Sequence, residues 1–276
     1  MTLREALTFG KNLLKQTGIE EYETDAWLLL EGVCKCTRND YYLRGDKPLT
    51  RDQEALWREY LEKRIKRIPV QHILGVQDFM GLTFQVTPDV LCPRQDTEVL
   101  VEEALKYVKP GNRILDLCTG SGCILISLLK YAKGCMGTGA DLSKKALKVA
   151  AENAKSLKVE CTWIHSDLFE KIEGRFDMIV SNPPYIATEE IESLMPEVRD
   201  MEPRMALDGK EDGLYFYREI VREAHRYLNP GGRLLFEIGY DQGQAVSEMM
   251  KSAGFAGIKV VKDLAGLDRV VKGSWK

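Results

Sequence analysis

A doubly wound α/β domain with a seven-stranded sheet, preceded by a small all-helical domain, is the architecture that this 276-residue sequence predicts. Three observations carry the prediction. From residue 97 onward, short apolar runs of strand character alternate with amphipathic helical stretches, the signature of a sheet with helices on both faces. Before residue 75 only a helical period occurs. A glycine-rich turn joins the first strand of the alternating region to the helix that follows it.

Near the N-terminus Leu3, Ala6, Leu7, Gly10, Leu13 and Leu14 recur at helical spacing. Thr24 or Asp25 is of the type that caps a second helix, which carries Trp27, Leu30 and Cys34. A third helix from Thr50 to about residue 67 aligns Trp57, Leu61 and Ile65, and Pro69 closes it. Residues 1–75 are therefore expected to form a helical domain and, because every chemistry-bearing motif lies after them, to serve recognition of a partner. Phe79, Leu82, Phe84 and Val86 around a Met80-Gly81 turn predict a β-hairpin linker over residues 76–92. Residues 93–276 make the third segment. Its strands are expected at 113–118, 136–141, 161–165 and 177–181, with helices at 124–133 and 143–156. A helix over 214–227 leads to the Asn229-Pro230-Gly231-Gly232 turn and a strand at 233–237. A helix over 241–253 and strands at 257–262 and 269–272 complete the set, and the alternation predicts a parallel sheet.

Composition narrows the function classes. With 44% hydrophobic and 29% charged residues the chain reads as an ordinary globular protein. Its longest apolar runs, at 27–30 and 124–129, fall far short of the ~20 residues a membrane span needs, and the N-terminus lacks the basic-then-apolar layout of a secretory signal. A cytoplasmic location is the expectation. The net charge of −3 does not favour a long nucleic acid as partner. The basic cluster Arg58, Lys63, Arg64, Lys66 and Arg67 falls at the end of a helix, where cations complement the dipole. Seven cysteines without C-x-x-C pairing and three scattered histidines suggest neither a metal site nor a catalytic histidine.

The segment Ile114-Leu115-Asp116-Leu117-Cys118-Thr119-Gly120-Ser121-Gly122 runs from an apolar strand into a glycine turn that opens a helix. Glycine lets a ligand approach the backbone, and the helix start offers free N–H groups. The next strand ends at Asp141, about 20 residues past the glycines, where a carboxylate accepts bonds from ribose hydroxyls. A dinucleotide fingerprint requires a small residue three positions after Gly122, and Leu125 stands there. S-adenosylmethionine is thus the ligand expected ahead of other adenosine compounds. The competing reading makes the glycines a plain tight turn and Asp141 a cap for the next helix.

The strand 177–181 delivers Asn182-Pro183-Pro184-Tyr185 to its C-terminal edge, where open α/β sheets bind ligands. Asn182 offers a side-chain carbonyl and Pro183 a backbone carbonyl, two acceptors for the hydrogens of one NH₂ group, while the prolines stiffen the turn. Tyr185 supplies a flat surface for a planar group. Such a site suits methyl transfer to an amide-type nitrogen.

Those residues carry a family resemblance. The chain resembles the HemK/PrmC family of protein-glutamine methyltransferases along nearly its whole length. The matching stretches are Pro69-Val70-Gln71-His72-Ile73-Leu74-Gly75, Pro93-Arg94-Gln95-Asp96-Thr97-Glu98, residues 116–122, residues 182–186, Glu202-Pro203 with Ala206-Leu207, Asp212-Gly213-Leu214 and Glu237-Ile238-Gly239. It departs at Cys118, Cys92, Gln95, His72 and Lys210, where the family usually has Gly, Ile, Pro, Tyr and Gly. Leu168 replaces an aromatic residue found over the adenine in some members. The resemblance implies a Rossmann-like class I methyltransferase acting on the glutamine of the Gly-Gly-Gln motif in class-one peptide chain release factors. It implies that Cys118, Thr119, Gly120, Ser121, Gly122, Asp141, Leu168 and Asn182 line the cofactor. Asn182, Pro183, Pro184 and Tyr185 would then hold the substrate, with Asn182, Pro183 and Tyr185 serving the chemistry. Asp167 is added on chemistry alone, as an acceptor for the adenine amino group. A ribosomal-protein glutamine, a nucleic-acid adenine amino group and a non-catalytic adenosine-binding role are the alternatives.

Overall fold

The computed structural model describes all 276 residues, which divide into two compact units: Met1–Gly75 with Met195–Met201, and Val76–Leu194 with Glu202–Lys276. The first unit holds α1 (Leu3–Gln16), α2 (Tyr22–Cys34), α3 (Arg38–Arg44), α4 (Arg51–Ile65) and α5 (Val70–Leu74). Thr2, Thr37 and Thr50 each start a helix with a reciprocal capping box, the partners being Glu5, Asp40 and Gln53. Leu14, Leu29, Leu30, Trp57 and Leu61 form the buried core. Gly10 makes room for the Trp57 ring, since a Cβ there would lie 2.4 Å from Trp57 Cζ2.

Two readings of this unit need correction. Neither Thr24 nor Asp25 caps α2, which begins at Tyr22; Asp25 is buried inside the helix and accepts a hydrogen bond from Arg64 Nε at 2.7 Å. The basic residues at the end of α4 do more than complement a dipole. Arg64 and Arg67 both donate to Glu197, at 2.9 and 3.1 Å, and Arg67 also reaches the carbonyls of Thr17 and Gly18. Glu197 belongs to the short helix α9 (Pro196–Arg199), so these two ion pairs tie a segment distant in sequence to the helical unit it belongs to.

The second unit opens with the antiparallel hairpin of β1 (Val76–Phe79) and β2 (Leu82–Gln85), and a 3₁₀ turn at Gln95–Thr97 leads into α6 (Glu98–Leu105). There follow β3 (Arg113–Leu117), α7 (Cys123–Tyr131), β4 (Met136–Asp141), α8 (Lys144–Leu157), β5 (Thr162–His165) and β6 (Phe176–Ser181). After α10 (Arg204–Leu207) come α11 (Tyr215–Tyr227), β7 (Leu228–Glu237), α12 (Gly243–Ser252), β8 (Ala256–Lys262) and β9 (Asp268–Ser274). The seven strands lie in the order β5-β4-β3-β6-β7-β9-β8.

The sheet is mixed rather than wholly parallel, because β9 runs antiparallel to both β7 and β8. Only residues 263–267 separate β8 from β9, too few for the crossover a parallel neighbour requires. The Asn229-Pro230-Gly231-Gly232 segment, expected as a turn, lies within β7, where pairing with β6 shifts register between Phe176 and Met178. Side chains alternate across the strands. Leu115, Leu117, Ile179 and Phe236 join the core shared with α11 and α12, whereas Ile114, Met178, Val180 and Leu235 join the core shared with α6 and α7. The chain winds from β3 outward to β5 and then resumes on the other side at β6. The C-terminal ends of β3 and β6 therefore flank the switch point, where an open α/β sheet leaves a crevice for ligands. No helix is long and apolar enough to cross a membrane.

Candidate active site

The turn after β3 is built for close approach. Gly120 and Gly122 have φ of +54° and +79°, in the left-handed region that glycine adopts without strain. A Cβ on Gly122 would come within 2.9 Å of Trp163 and 3.1 Å of Ala150, so this glycine lets α7 pack on its neighbours. A Cβ on Gly120 would meet no protein atom within 4 Å, so the space over that residue is open. Cys118 also takes a left-handed φ, +57°, which explains why glycine is the residue more readily accommodated there.

Two carboxylates fix the turn. Thr119 donates its hydroxyl to Asp116 Oδ2 at 2.5 Å, while Oδ1 of the fully buried Asp116 has no partner. Burial pushes this carboxyl up to about 7 against the opposing effect of the Thr119 bond. Asp141 accepts the Gly120 N–H on Oδ2 and the Ser143 N–H on Oδ1, both at 2.8 Å. Burial raises its carboxyl too, although those backbone donors favour the ionised form. The competing reading makes Asp141 the cap of α8, but Ser143 caps it, its hydroxyl accepting the Ala146 N–H at 3.2 Å. Asp141 holds there only the N–H of that cap residue, each of its oxygens keeps a second lone pair, and the side chain lines a cavity.

That cavity has an empty volume, mouth included, of about 1150 Å³. Cys118, Thr119, Gly120, Ser121, Asp141, Asp167, Leu168 and Asn182 lie on its wall together, as does Pro184. Of the residues singled out in sequence, Gly122, Pro183 and Tyr185 do not line it. Leu91, Leu142 and Phe216 contribute apolar wall that the sequence did not single out, as does Pro93 from one of the matching stretches.

Strand pairing sets the position of Asn182. Ser181 pairs with Leu117 of β3 and Phe236 of β7, and its hydroxyl donates to the Leu117 carbonyl at 2.7 Å. Asn182 therefore emerges between the two strands at the cavity. Its Nδ2 lies 3.4 Å from Thr97 Oγ1. The Tyr185 carbonyl accepts from Gln242 Nε2 at 2.9 Å, and Ile186 exchanges backbone bonds with Leu207 and Gly209. A Cβ on Gly209 would sit 2.8 Å from Tyr185 Cα, so this glycine allows the return segment to brace the loop. Burial raises the Tyr185 hydroxyl above its ordinary value, which keeps it neutral.

Several residues of the site escaped separate notice in sequence because they stood only inside longer motifs. Glu202 accepts from Arg94 Nη2 at 2.6 Å and from the Cys92 N–H at 3.3 Å, joining the two segments that place Pro93 and Pro203 on the cavity wall. Thr97 and Glu237 sit beside Asn182, and burial pushes the Glu237 carboxyl up to about 7.

Known proteins resemble this chain at both levels. Residues 5–75 match the family model described as the PrmC N-terminal domain, and residues 84–198 match that of the methyltransferase small domain. A release factor glutamine methyltransferase of Geobacter sulfurreducens is 44% identical over 273 residues, covering 99% of this chain and 96% of the relative. One of Caulobacter vibrioides is also 44% identical, over 278 residues, with the same shares covered. Among solved structures, a methyltransferase from Pyrococcus furiosus superposes with a TM-score of 0.54 at 17% identity, covering 71% of this chain and 89% of that one. At such low identity the likeness speaks to fold alone. Fold and relatives together define a methyltransferase with a Rossmann-like sheet. Within that class, the chain belongs to the release factor glutamine methyltransferase family.

Proposed function

We propose that the protein transfers a methyl group from S-adenosylmethionine to the side-chain amide nitrogen of the glutamine in the Gly-Gly-Gln motif of class-one peptide chain release factors. The observation that carries this reading is one cavity whose wall holds both the Asp141-anchored glycine turn and Asn182. The wall suits the cofactor: Asp141 and Asp167 face it, the space over Gly120 is free, and apolar side chains cover the rest. Carboxylates with lone pairs to spare accept hydroxyl and amino hydrogens, and they favour a cation.

Cys118, Thr119, Gly120, Ser121, Gly122, Asp141, Asp167, Leu168 and Asn182 would hold the cofactor, Gly122 by shaping the turn from behind. When bound, S-adenosylmethionine supplies a methyl group on a sulfonium whose thioether is a ready leaving group. An amide nitrogen is a poor nucleophile because its lone pair is delocalised into the carbonyl. Asn182 on the cavity wall is assigned one of its hydrogens; the Pro183 carbonyl and the Tyr185 ring, which lie off that wall, are assigned the other hydrogen and the amide plane, and Pro184 stiffens the loop. Orientation of this kind contributes up to several powers of ten in rate. The methylated nitrogen then releases a proton to water, which an N-protonated amide does readily.

Residues 1–75 are assigned to recognition of the release factor, since every group proposed for the chemistry lies later in the chain. A cytoplasmic location follows from that partner. The test is incubation with labelled S-adenosylmethionine and purified release factor, ribosomal proteins or DNA in parallel. Label in the release factor alone supports the reading; label in a ribosomal protein or in DNA adenine would replace it.

A further inference from the structure

Glu237 ends β7 in a place where a carboxylate is costly. It is 2% exposed, its Oε2 has no hydrogen-bond partner, and an ionised group in that setting is tolerated only for a reason. Pairing of Ser181 with Phe236 sets Glu237 one residue beyond, at the level of Asn182. The side chains of Thr97 and Asn182 face the carboxylate and favour its ionised form. Thr97 ends the 3₁₀ turn that runs into α6, and its hydroxyl lies 3.4 Å from Asn182 Nδ2.

We infer that Glu237 is a positioning residue which, with Thr97, holds the Asn182 amide nitrogen turned into the fold and its carbonyl turned toward the substrate. This rests on the methyl-transfer reading proposed above for the same site. A side-chain amide has a donor end and an acceptor end of nearly the same shape, so its partners decide which end points inward. An ionised carboxylate only accepts. Beside it the NH₂ end of Asn182 is favoured inward, and Oδ1 is left to receive a hydrogen from the substrate amide. The Thr97 hydroxyl accepts from Asn182 and passes its own hydrogen to Glu237, extending the same polarity.

Neighbouring charges leave Glu237 this role. Arg269 of β9 is the nearby cation, but it is shared with Asp263 at 3.0 Å and Asp96 at 3.3 Å. Besides Arg269 and Asp96, the titratable groups around the carboxylate are Tyr185, Tyr217 and Cys123. The Tyr217 hydroxyl donates to the Glu237 backbone carbonyl at 2.9 Å and so does not satisfy the side chain. Burial, the largest influence, pushes the Glu237 carboxyl up to about 7. Below that pH the group gains a proton, becomes a donor as well as an acceptor, and no longer selects one orientation of Asn182. Turnover should therefore fall on the acid side with a midpoint near neutrality.

The experiment compares the wild-type protein with Thr97→Val, Thr97→Ser and Glu237→Gln, using purified release factor and labelled S-adenosylmethionine. Cofactor affinity by calorimetry and melting temperature are measured beside kcat. Thr97→Val and Glu237→Gln should each lower kcat on the order of 10²-fold, the scale for one oriented polar contact in an active site. Thr97→Ser, which keeps the hydroxyl, should stay near wild type, and cofactor affinity should change little in all three. The acid limb of kcat seen in wild type should be absent in Glu237→Gln. If Glu237→Gln does not fold, the threonine pair carries the test. Undiminished kcat in folded Thr97→Val, failure of serine to restore it, or a loss that follows cofactor affinity or melting temperature would overturn the inference. A wild-type protein that leaves release factor unlabelled would instead overturn the functional reading beneath it.

Discussion

Replacing Asp141 by alanine separates its two duties. The carboxylate anchors the Gly120 and Ser143 N–H groups, and its remaining lone pairs face the cavity, where they are proposed to accept ribose hydroxyls. A hydrogen bond to a charged group is worth roughly 1.5–3 kcal/mol, so losing one should weaken cofactor binding by about 10- to 150-fold. The apo fold should change less. Two backbone donors lose an acceptor, but relief from burying a carboxylate raised above its ordinary value offsets part of that loss. The assay is thermal melting with and without S-adenosylmethionine, backed by calorimetry. At a concentration about 100 times the wild-type Kd, binding stabilises wild type by about 2.7 kcal/mol; a Kd raised about 100-fold leaves about 0.4 kcal/mol. The cofactor-dependent rise in melting temperature should nearly vanish while the apo value stays close. Undiminished affinity in the variant would refute the assignment of Asp141 to the cofactor.

Asp116→Asn should gain stability relative to wild type as pH rises. Burial pushes the Asp116 carboxyl up to about 7 from its ordinary 3.8, so the proton it retains favours the folded state at low pH and that advantage is lost as pH rises through 7. Between about pH 5 and pH 8 the difference should grow by roughly 2–3 kcal/mol, and a pH-independent difference in denaturant unfolding would contradict this. Arg64→Ala should cost about 3–5 kcal/mol by stranding buried Asp25 and leaving Glu197 to Arg67 alone, whereas a loss below about 1 kcal/mol in melting experiments would mean the network is not held by that guanidinium. Cys118→Gly should raise stability by up to about 1 kcal/mol by relieving the left-handed backbone at φ +57°, and a lower melting temperature would show that the thiol's packing outweighs the strain.

What the sequence made legible was local. The strands of the second unit announced themselves as apolar runs ending at chemistry-bearing residues, and their observed limits lie within a few residues of expectation, β7 excepted. The glycine turn and Asp141 were readable because spacing along one βαβ unit fixes their positions, and Asn182 because it directly follows the apolar strand β6. Short elements were not: α3 and α5, of 7 and 5 residues, span too little chain to show a period. Asp25 misled because a carboxylate near a helix start looks like a cap, and the partner that explains it, Arg64, is 39 residues away. The same distance problem hid the support of the site. Thr97 and Asn182 are 85 residues apart, and Arg94 and Glu202 are 108 apart. No local pattern connects such pairs, so the motifs containing them could be quoted but not explained.

The most direct test of the central claim is to locate the methyl group. Release factor incubated with the protein and S-adenosylmethionine is digested, and the peptide carrying the Gly-Gly-Gln motif is sequenced by mass spectrometry. The added methyl should sit on the glutamine side chain, and Asn182→Ala should reduce its rate of appearance on the order of 10²- to 10³-fold. A methyl group on any other residue, or an Asn182→Ala protein that modifies the glutamine at the wild-type rate, would contradict the account.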